Sequence, residues 1–218
     1  MAARCIHCYV SLLKCSAPGS KRRRAYRGHA GSVYPRARRS TPEGTFQRLR
    51  LLLRQPKIEY ILGMDVSHQA LSRAAQRLHL EEMPPRQRRR IDLIQGSLLY
   101  RDERLAGFDA AALVEVIEHL DENRLAALEA VVFGQARPAH VFVTTPNADY
   151  NQLFEKLSAG EFRHDDHRFE WTRAEFAAWA EGVAGRHGYQ VRLEGMGEEV
   201  EGVGAPSQMA VFGPLQLP

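Results

Sequence analysis

From Gly44 onward the apolar positions switch between a helical and an extended period. Phe46, Leu49, Leu51, Leu52 and Leu53 give a short helix-like face that Pro56 ends. Residues 58–66 (IEYILGMDV) predict a buried strand that closes on Asp65. Ser67 stands where it can cap the next helix, in which Leu71, Ala74, Ala75 and Leu78 recur at i, i+3, i+4 and i+7. After Pro84-Pro85 comes a basic loop at 86–90 that reads as solvated, and then a strand at 91–94 ending at Gly96-Ser97. Residues 108–114 predict the following strand. Residues 122–133 predict a helix with Leu125, Leu128, Val131 and Val132 inward. A strand at 140–145 stops at Pro146-Asn147. Thr172 and Glu175 form a capping box for a helix carrying Phe176, Trp179 and Val183 on one face, ended by Gly188. Residues 189–193 and 208–212 predict a closing strand pair.

Strand and helix alternate and then finish in a hairpin-like pair. That order implies an α/β fold with a mostly parallel sheet covered on both faces. In such sheets ligands sit outside the carboxyl ends of the strands, so polar residues at strand exits carry the functional signal.

Charge divides the 218-residue chain in two. Residues 1–42 hold ten Lys and Arg and no acid, leaving twenty Lys and Arg against twenty-six Asp and Glu in the remainder, a net of −6. The overall charge of +4 therefore belongs to the first segment, and the body gives no ground for a general nucleic-acid-binding surface. No apolar run approaches the ~20 residues of a membrane span. Cys5, Cys8 and Cys15 all lie in the first segment, and a cysteine-free body fits a reducing cytoplasm. Cys5-x-x-Cys8 with His7 and Cys15 nearby lacks the second pair of a zinc finger. Residues 1–42 are expected to be a basic, disordered or non-native extension ahead of a domain spanning 43–218.

The first polar concentration is Glu115, Glu118 and His119, directly after the 108–114 run. Two hard oxygens and a nitrogen suit a single Mg, Mn or Zn ion; an ordinary solvated turn is the competing reading. Asp65, at its strand end, can accept hydrogen bonds from both hydroxyls of a ribose, and Ser97 stands where an adenine edge would lie. The second concentration runs from Arg163 through His164, Asp165, Asp166, His167 and Arg168 to Trp171. One of its imidazoles could complete a set of two Glu and two His, leaving two octahedral positions for substrate oxygens such as a 2,3-diol. Arg163 and Arg168 could meet phosphates.

Glu115-Val-Ile-Glu118-His119-Leu120, Thr144-Thr145-Pro146-Asn147 with Tyr150-Asn151, and the 163–173 segment together resemble the Hen-type (HUA ENHANCER) small-RNA 2′-O-methyltransferases. Gly63-Met-Asp65-Val-Ser67 and residues 96–102 resemble the same family in order and spacing, so the similarity runs from about residue 43 to the end. The resemblance implies a Rossmann-like fold using S-adenosylmethionine. It also implies methylation of the 2′-OH of the 3′-terminal nucleotide of an RNA, with a divalent metal, Mg or Mn. Carried over by motif, Glu115, Glu118, His119 and His167 are the metal ligands. Asp65, Ser97 and Leu98 contact the cofactor, His164 and His167 are the catalytic imidazoles, and Arg163 and Arg168 meet the RNA. A partner that heals and ligates RNA ends is implied as well.

One departure stands out. The family's first strand and its turn of the form Asp-x-Gly-Cys-Gly-x-Gly should precede Phe46, yet only Pro42-Glu43-Gly44-Thr45 matches the tail of that turn. The expectation is that the central strand and the glycine turn are missing, through a shifted reading frame or altered start over 1–42, with weak cofactor binding as the result. The alternative function is a catalytically impaired relic, or an RNA-end-binding protein, without a competent S-adenosylmethionine site. A hydrolytic metalloenzyme is weaker still, because Asp65 and Ser97 would then lack a purpose.

Overall fold

The computed structural model describes residues 10–15, 49–154, 157 and 160–214. Seven strands form one sheet: β1 (Val10–Cys15), β2 (Ile58–Asp65), β3 (Ile91–Gln95), β4 (Ala110–Val114), β5 (His140–Pro146), β6 (Tyr189–Met196) and β7 (Ser207–Pro214), in the order β3-β2-β1-β4-β5-β7-β6. β2 with β3 and β4 with β5 are parallel pairs. β7 runs against both β5 and β6, and β1 runs against both β2 and β4. The sheet is α/β as expected, but more mixed than the mostly parallel one its pattern suggested.

β1 corrects the expectation that the central strand is absent. Val10–Cys15 fills the slot between β2 and β4, with Val10, Leu12 and Leu13 buried. Leu12 packs into one apolar layer with Leu62, Met64 and Leu113; Leu13 packs into the other with Ile61, Ile91 and Ala110. Alternation at a period of two places one leucine on each face, and both find a core. The direction, however, is reversed. Val10 pairs with Met64 and Leu113, so the amino end of β1 lies where β2 and β4 end. No glycine-rich turn stands at that edge among the described residues; Cys5, Cys8 and residues 16–48 lie outside them.

The helix α1 (His68–Arg77) begins at Ser67, whose Oγ accepts from Ala70 N at 3.3 Å, and buries Leu71 and Ala74. The helix expected over 122–133 is a 3-10 turn, then α2 (Leu125–Glu129), then a π segment, Ala130–Ala136. The helix α3 (Arg173–His187) has the full capping box and ends at Gly188, whose φ of 74° suits glycine. The basic loop is in part structural. Residues Pro85–Arg88 form a short helix, and Arg90 donates to the carbonyls of Leu53, Gln55 and Ile58, joining that segment to the start of β2. Among the described residues no helix is long and apolar enough to cross a membrane.

Candidate metal centre

The polar residues gather at the carboxyl ends of β4 and β5, where the sheet opens. β4 stops at Val114 because Glu115 turns left-handed, with φ 54°. A non-glycine residue there stores about 1–3 kcal/mol of strain and persists only where its surroundings hold it. Thr144 supplies that hold: Glu115 N donates to Thr144 O and Oγ1, each at 3.1 Å, and Thr144 Oγ1 donates back to Glu115 Oε1 at 3.0 Å. A 3-10 turn, Ile117–His119, follows and directs Glu118 and His119 into the same space. Ile117, fully buried in the core, is the apolar pin of that turn.

Glu118, His119 and His167 each offer a ligand atom, and the three atoms lie within 4.8 Å of one another. Glu118 is fully buried; its Oε2 accepts from Thr145 Oγ1 at 3.1 Å, while Oε1 has no hydrogen-bond partner. Burial and the neighbouring Glu115 push its carboxyl well above the ordinary range. His167 is also buried, with Nδ1 at 2.5 Å from Glu170 Oε1 and Nε2 without a partner. An acidic oxygen and an imidazole nitrogen, both buried and both unsatisfied, cost several kcal/mol in an apolar setting unless a cation accepts their lone pairs.

Both imidazoles are fixed for that task. His119 Nδ1 stands 3.3 Å from Asp166 O, and His167 Nδ1 faces a carboxylate, so each ring keeps its hydrogen on Nδ1 and presents Nε2. Burial, with the charge of nearby His167, lowers the His119 pKa to about 4, which keeps that ring neutral and able to donate a lone pair. The donor set of carboxylate and imidazole suits Mg, Mn or Zn. Glu115 sits beside the trio, raising the Glu118 pKa through its charge, but outside the 4.8 Å group and bonded to Thr144.

His167 is held in place from behind. Glu170 accepts from His167 at Oε1, from Arg163 N at Oε1 (2.8 Å) and from Asn151 Nδ2 at Oε2 (2.6 Å). Burial alone would raise its carboxyl, but those hydrogen bonds outweigh burial and hold it below the usual range. Arg163, expected at a phosphate, is used inside the protein instead. Its guanidinium donates to Asn151 Oδ1 and to the carbonyls of Asn147 and Pro206, tying three segments together around Glu170. Arg168 is on the surface, 3.8 Å from Asp121, while its backbone N donates to Glu118 O at 2.7 Å. His164 is half-buried, its ring centroid 5.7 Å from that of His167.

The expected cofactor residues lie along the neighbouring strand ends. Asp65 is buried at the end of β2 and accepts from Ser67 N at 2.7 Å. Ser97 Oγ accepts from Leu99 N at 3.2 Å. The Leu98 side chain packs in the core. A Cβ on Gly96 would fall 2.6 Å from Met64 Sδ, so the turn needs glycine there. Among the described residues, β1 runs antiparallel to both of its neighbours and no glycine-rich turn stands beside Asp65.

Glu170, Thr144, Thr145 and Asn151 stand in the motifs that carry the resemblance, but the sequence pattern gives them no role in the site. The available signals were the i, i+3 spacing of His167 and Glu170 and two threonines at a strand exit opposite two glutamates.

No protein-family model matches the chain. The small RNA 2′-O-methyltransferase of Rattus norvegicus is 40% identical over 176 residues, 78% of this chain and 44% of that protein. The solved methyltransferase domain of bacterial CtHen1 is 51% identical with a TM-score of 0.70, covering 76% of this chain and 83% of that one. A chain of the Pnkp1/Rnl/Hen1 RNA repair complex is 19% identical with a TM-score of 0.52 over 79% of this chain and 36% of that one, a likeness of fold alone. The fold is thus that of the Rossmann-like, S-adenosylmethionine-dependent methyltransferases. Within that class the chain belongs to the Hen1 family, as the extent and identity of the match to the CtHen1 domain establish. It spans less than half the length of the rat relative.

Proposed function

We propose that this chain is the catalytic unit of an RNA 2′-O-methyltransferase, transferring a methyl group from S-adenosylmethionine to the 2′-OH of a 3′-terminal nucleotide. The observation that carries this reading is the trio of Glu118, His119 and His167, in which buried Glu118 Oε1 and His167 Nε2 have no hydrogen-bond partner. Those three residues, with Glu115 beside them, would hold one divalent ion, Mg or Mn. When bound, the ion supplies Lewis acidity toward the ribose hydroxyls. The residues themselves do the rest. Glu118 and Glu115 bring carboxylate oxygens, His119 and His167 bring ring nitrogens, and Glu170 fixes the His167 ring. His164, half-buried beside His167, takes the 2′ proton. Asp65 and the turn at 96–98 orient the nucleoside of the methyl donor, and fixing donor and acceptor in one geometry supplies the proximity term.

The test uses labelled S-adenosylmethionine at millimolar concentration, with RNA ending in a ribonucleotide or in a 2′-deoxynucleotide. Label should enter only the ribo-ended strand, only with Mn²⁺ or Mg²⁺, and not with Glu118→Ala. Equal labelling of both RNAs would overturn the reading. A partner that heals and ligates RNA ends belongs to the same proposal, since a Hen1 is named in an RNA repair complex with Pnkp1 and Rnl. The cysteine-free body suits the cytoplasm as its place of work.

A second reading is favoured by one observation, the antiparallel β1 with no glycine turn at the cofactor edge among the described residues. On that reading the chain binds RNA ends and metal but does not hold S-adenosylmethionine. Calorimetry decides: heat of binding supports the enzyme, and none across a millimolar titration supports the end-binding protein.

A further inference from the structure

Six large apolar residues are exposed among the described ones, and three of them, Leu153, Phe154 and Phe162, belong to the two segments that Arg163 ties together. Phe154 is 42% and Phe162 41% exposed. Phe154 closes the 3-10 segment Ala148–Leu153, and Phe162 immediately precedes Arg163. The two segments are tied to each other and to the metal centre by one relay: Arg163 to Asn151, Asn151 to Glu170, Glu170 to His167. The Arg163 guanidinium also lies over the Phe154 ring, 5.1 Å from its centroid, and the Tyr150 ring is tilted against it at 5.9 Å. The ring is therefore held by a cation and an aromatic neighbour while much of it faces water.

We propose that Phe154 and Phe162 are a stacking subsite for the unpaired bases next to the 3′ end of an RNA strand. This rests on the reading of the trio as the seat of the terminal ribose, which it extends from the reacting sugar to the bases behind it. A strand whose last sugar reaches His167 must run its neighbouring nucleotides over the surface around the trio; Phe162 precedes the segment that carries His167, and Phe154 is joined to that segment through Arg163. Every base has a π face, so stacking on phenylalanine binds a strand without reading its sequence. A base pair inside a helix is already stacked and gains nothing from such a ring, so the subsite selects ends that are single-stranded. A protein partner is the poorer occupant. The polar residues Arg163, His164 and Asp165 directly follow Phe162, and the Arg163 guanidinium covers Phe154, which leaves no continuous apolar interface core.

Synthetic RNAs carrying 2-aminopurine at the penultimate position report the contact, because stacking quenches that base. With Mn²⁺ present, the wild-type chain should quench a single-stranded 3′ end, and should quench a blunt duplex end much less. The double variant Phe154→Ala/Phe162→Ala should bind the single strand about tenfold more weakly with the quench lost, an effect of the size of one stacked base. Its Mn²⁺ affinity and circular dichroism should match those of the wild type. Phe154→Leu/Phe162→Leu keeps the apolar volume without the π face; it should lose the quench too, which separates stacking from a folding defect. Wild-type quenching and affinity in the leucine variant would overturn the subsite while leaving the metal reading intact. Failure of the wild-type chain to bind Mn²⁺ at all would overturn both.

Discussion

Glu170 shows what a single residue contributes here. It touches no reacting atom in the proposed scheme, yet it decides which nitrogen of His167 faces the trio. Metal affinity commonly falls 10- to 100-fold when such a supporting carboxylate is changed. Glu170→Gln should therefore weaken Mn²⁺ binding at least about tenfold by calorimetry with the fold retained; unchanged affinity would remove Glu170 from that role. Tyr60 gives a residue-scale test of the sheet itself. Burial, and then its hydrogen bond to Asp92 at 2.6 Å, raise the phenol from 10 to about 12. A group whose folded pKa is raised contributes stability that is fully present below its unfolded pKa and lost as pH climbs through the folded one. The urea midpoint of the wild type should thus exceed that of Tyr60→Phe by a constant margin below about pH 10, and the margin should vanish towards pH 12. A margin that grows with pH would contradict the assignment.

At the scale of elements, the segments that hold the centre owe their positions to side chains remote in sequence. Arg163 joins residues 147, 151 and 206, and removing it leaves Asn151 Oδ1 without its donor and the carbonyls of Asn147 and Pro206 with one donor each. Arg163→Ala should cost about 2–4 kcal/mol in chemical denaturation. It should leave the salt dependence of RNA binding unaltered, whereas a phosphate contact would reduce that slope. β1 makes the complementary case. Leu12 is 2% exposed in the middle of the sheet, so Leu12→Ala should cost about 2–5 kcal/mol. A loss below about 0.5 kcal/mol, the size of a surface change, would mean that Val10–Cys15 does not occupy the central slot. Helix ends were legible in the chain because their chemistry is local: Ser67, Thr172, Glu175 and Gly188 each act within a turn. β1 was not legible. Its six residues sit in a Cys- and Arg-rich flank, and their place in the sheet depends on partners some fifty and a hundred positions away. Arg163 was misread for the same reason: spacing reveals a charge, but its acceptors are set by tertiary structure.

For the whole molecule, the two halves of the site differ in completeness. The polar motifs at 115–119 and 163–171 were legible in the chain; what spacing could not assign was the support that Thr144, Thr145, Asn151 and Glu170 give them. On the proposed reading Asp65 and the turn at 96–98 serve the cofactor, while β1 runs antiparallel to both of its neighbours. S-adenosylmethionine affinity should accordingly be weak, on the order of 10⁻⁴ M or poorer, where each tenfold loss is about 1.4 kcal/mol. Micromolar binding would show that a different part of the chain completes the cradle.

The claim on which the rest depends is that Glu118, His119 and His167 share one divalent cation. Titrating Mn²⁺ into the wild-type chain and into His167→Ala, followed by the electron paramagnetic resonance signal of free Mn²⁺, measures this directly. One ion per chain should disappear from the free pool with the wild type and remain free with the variant. Equal uptake by both, with the variant folded, would contradict it.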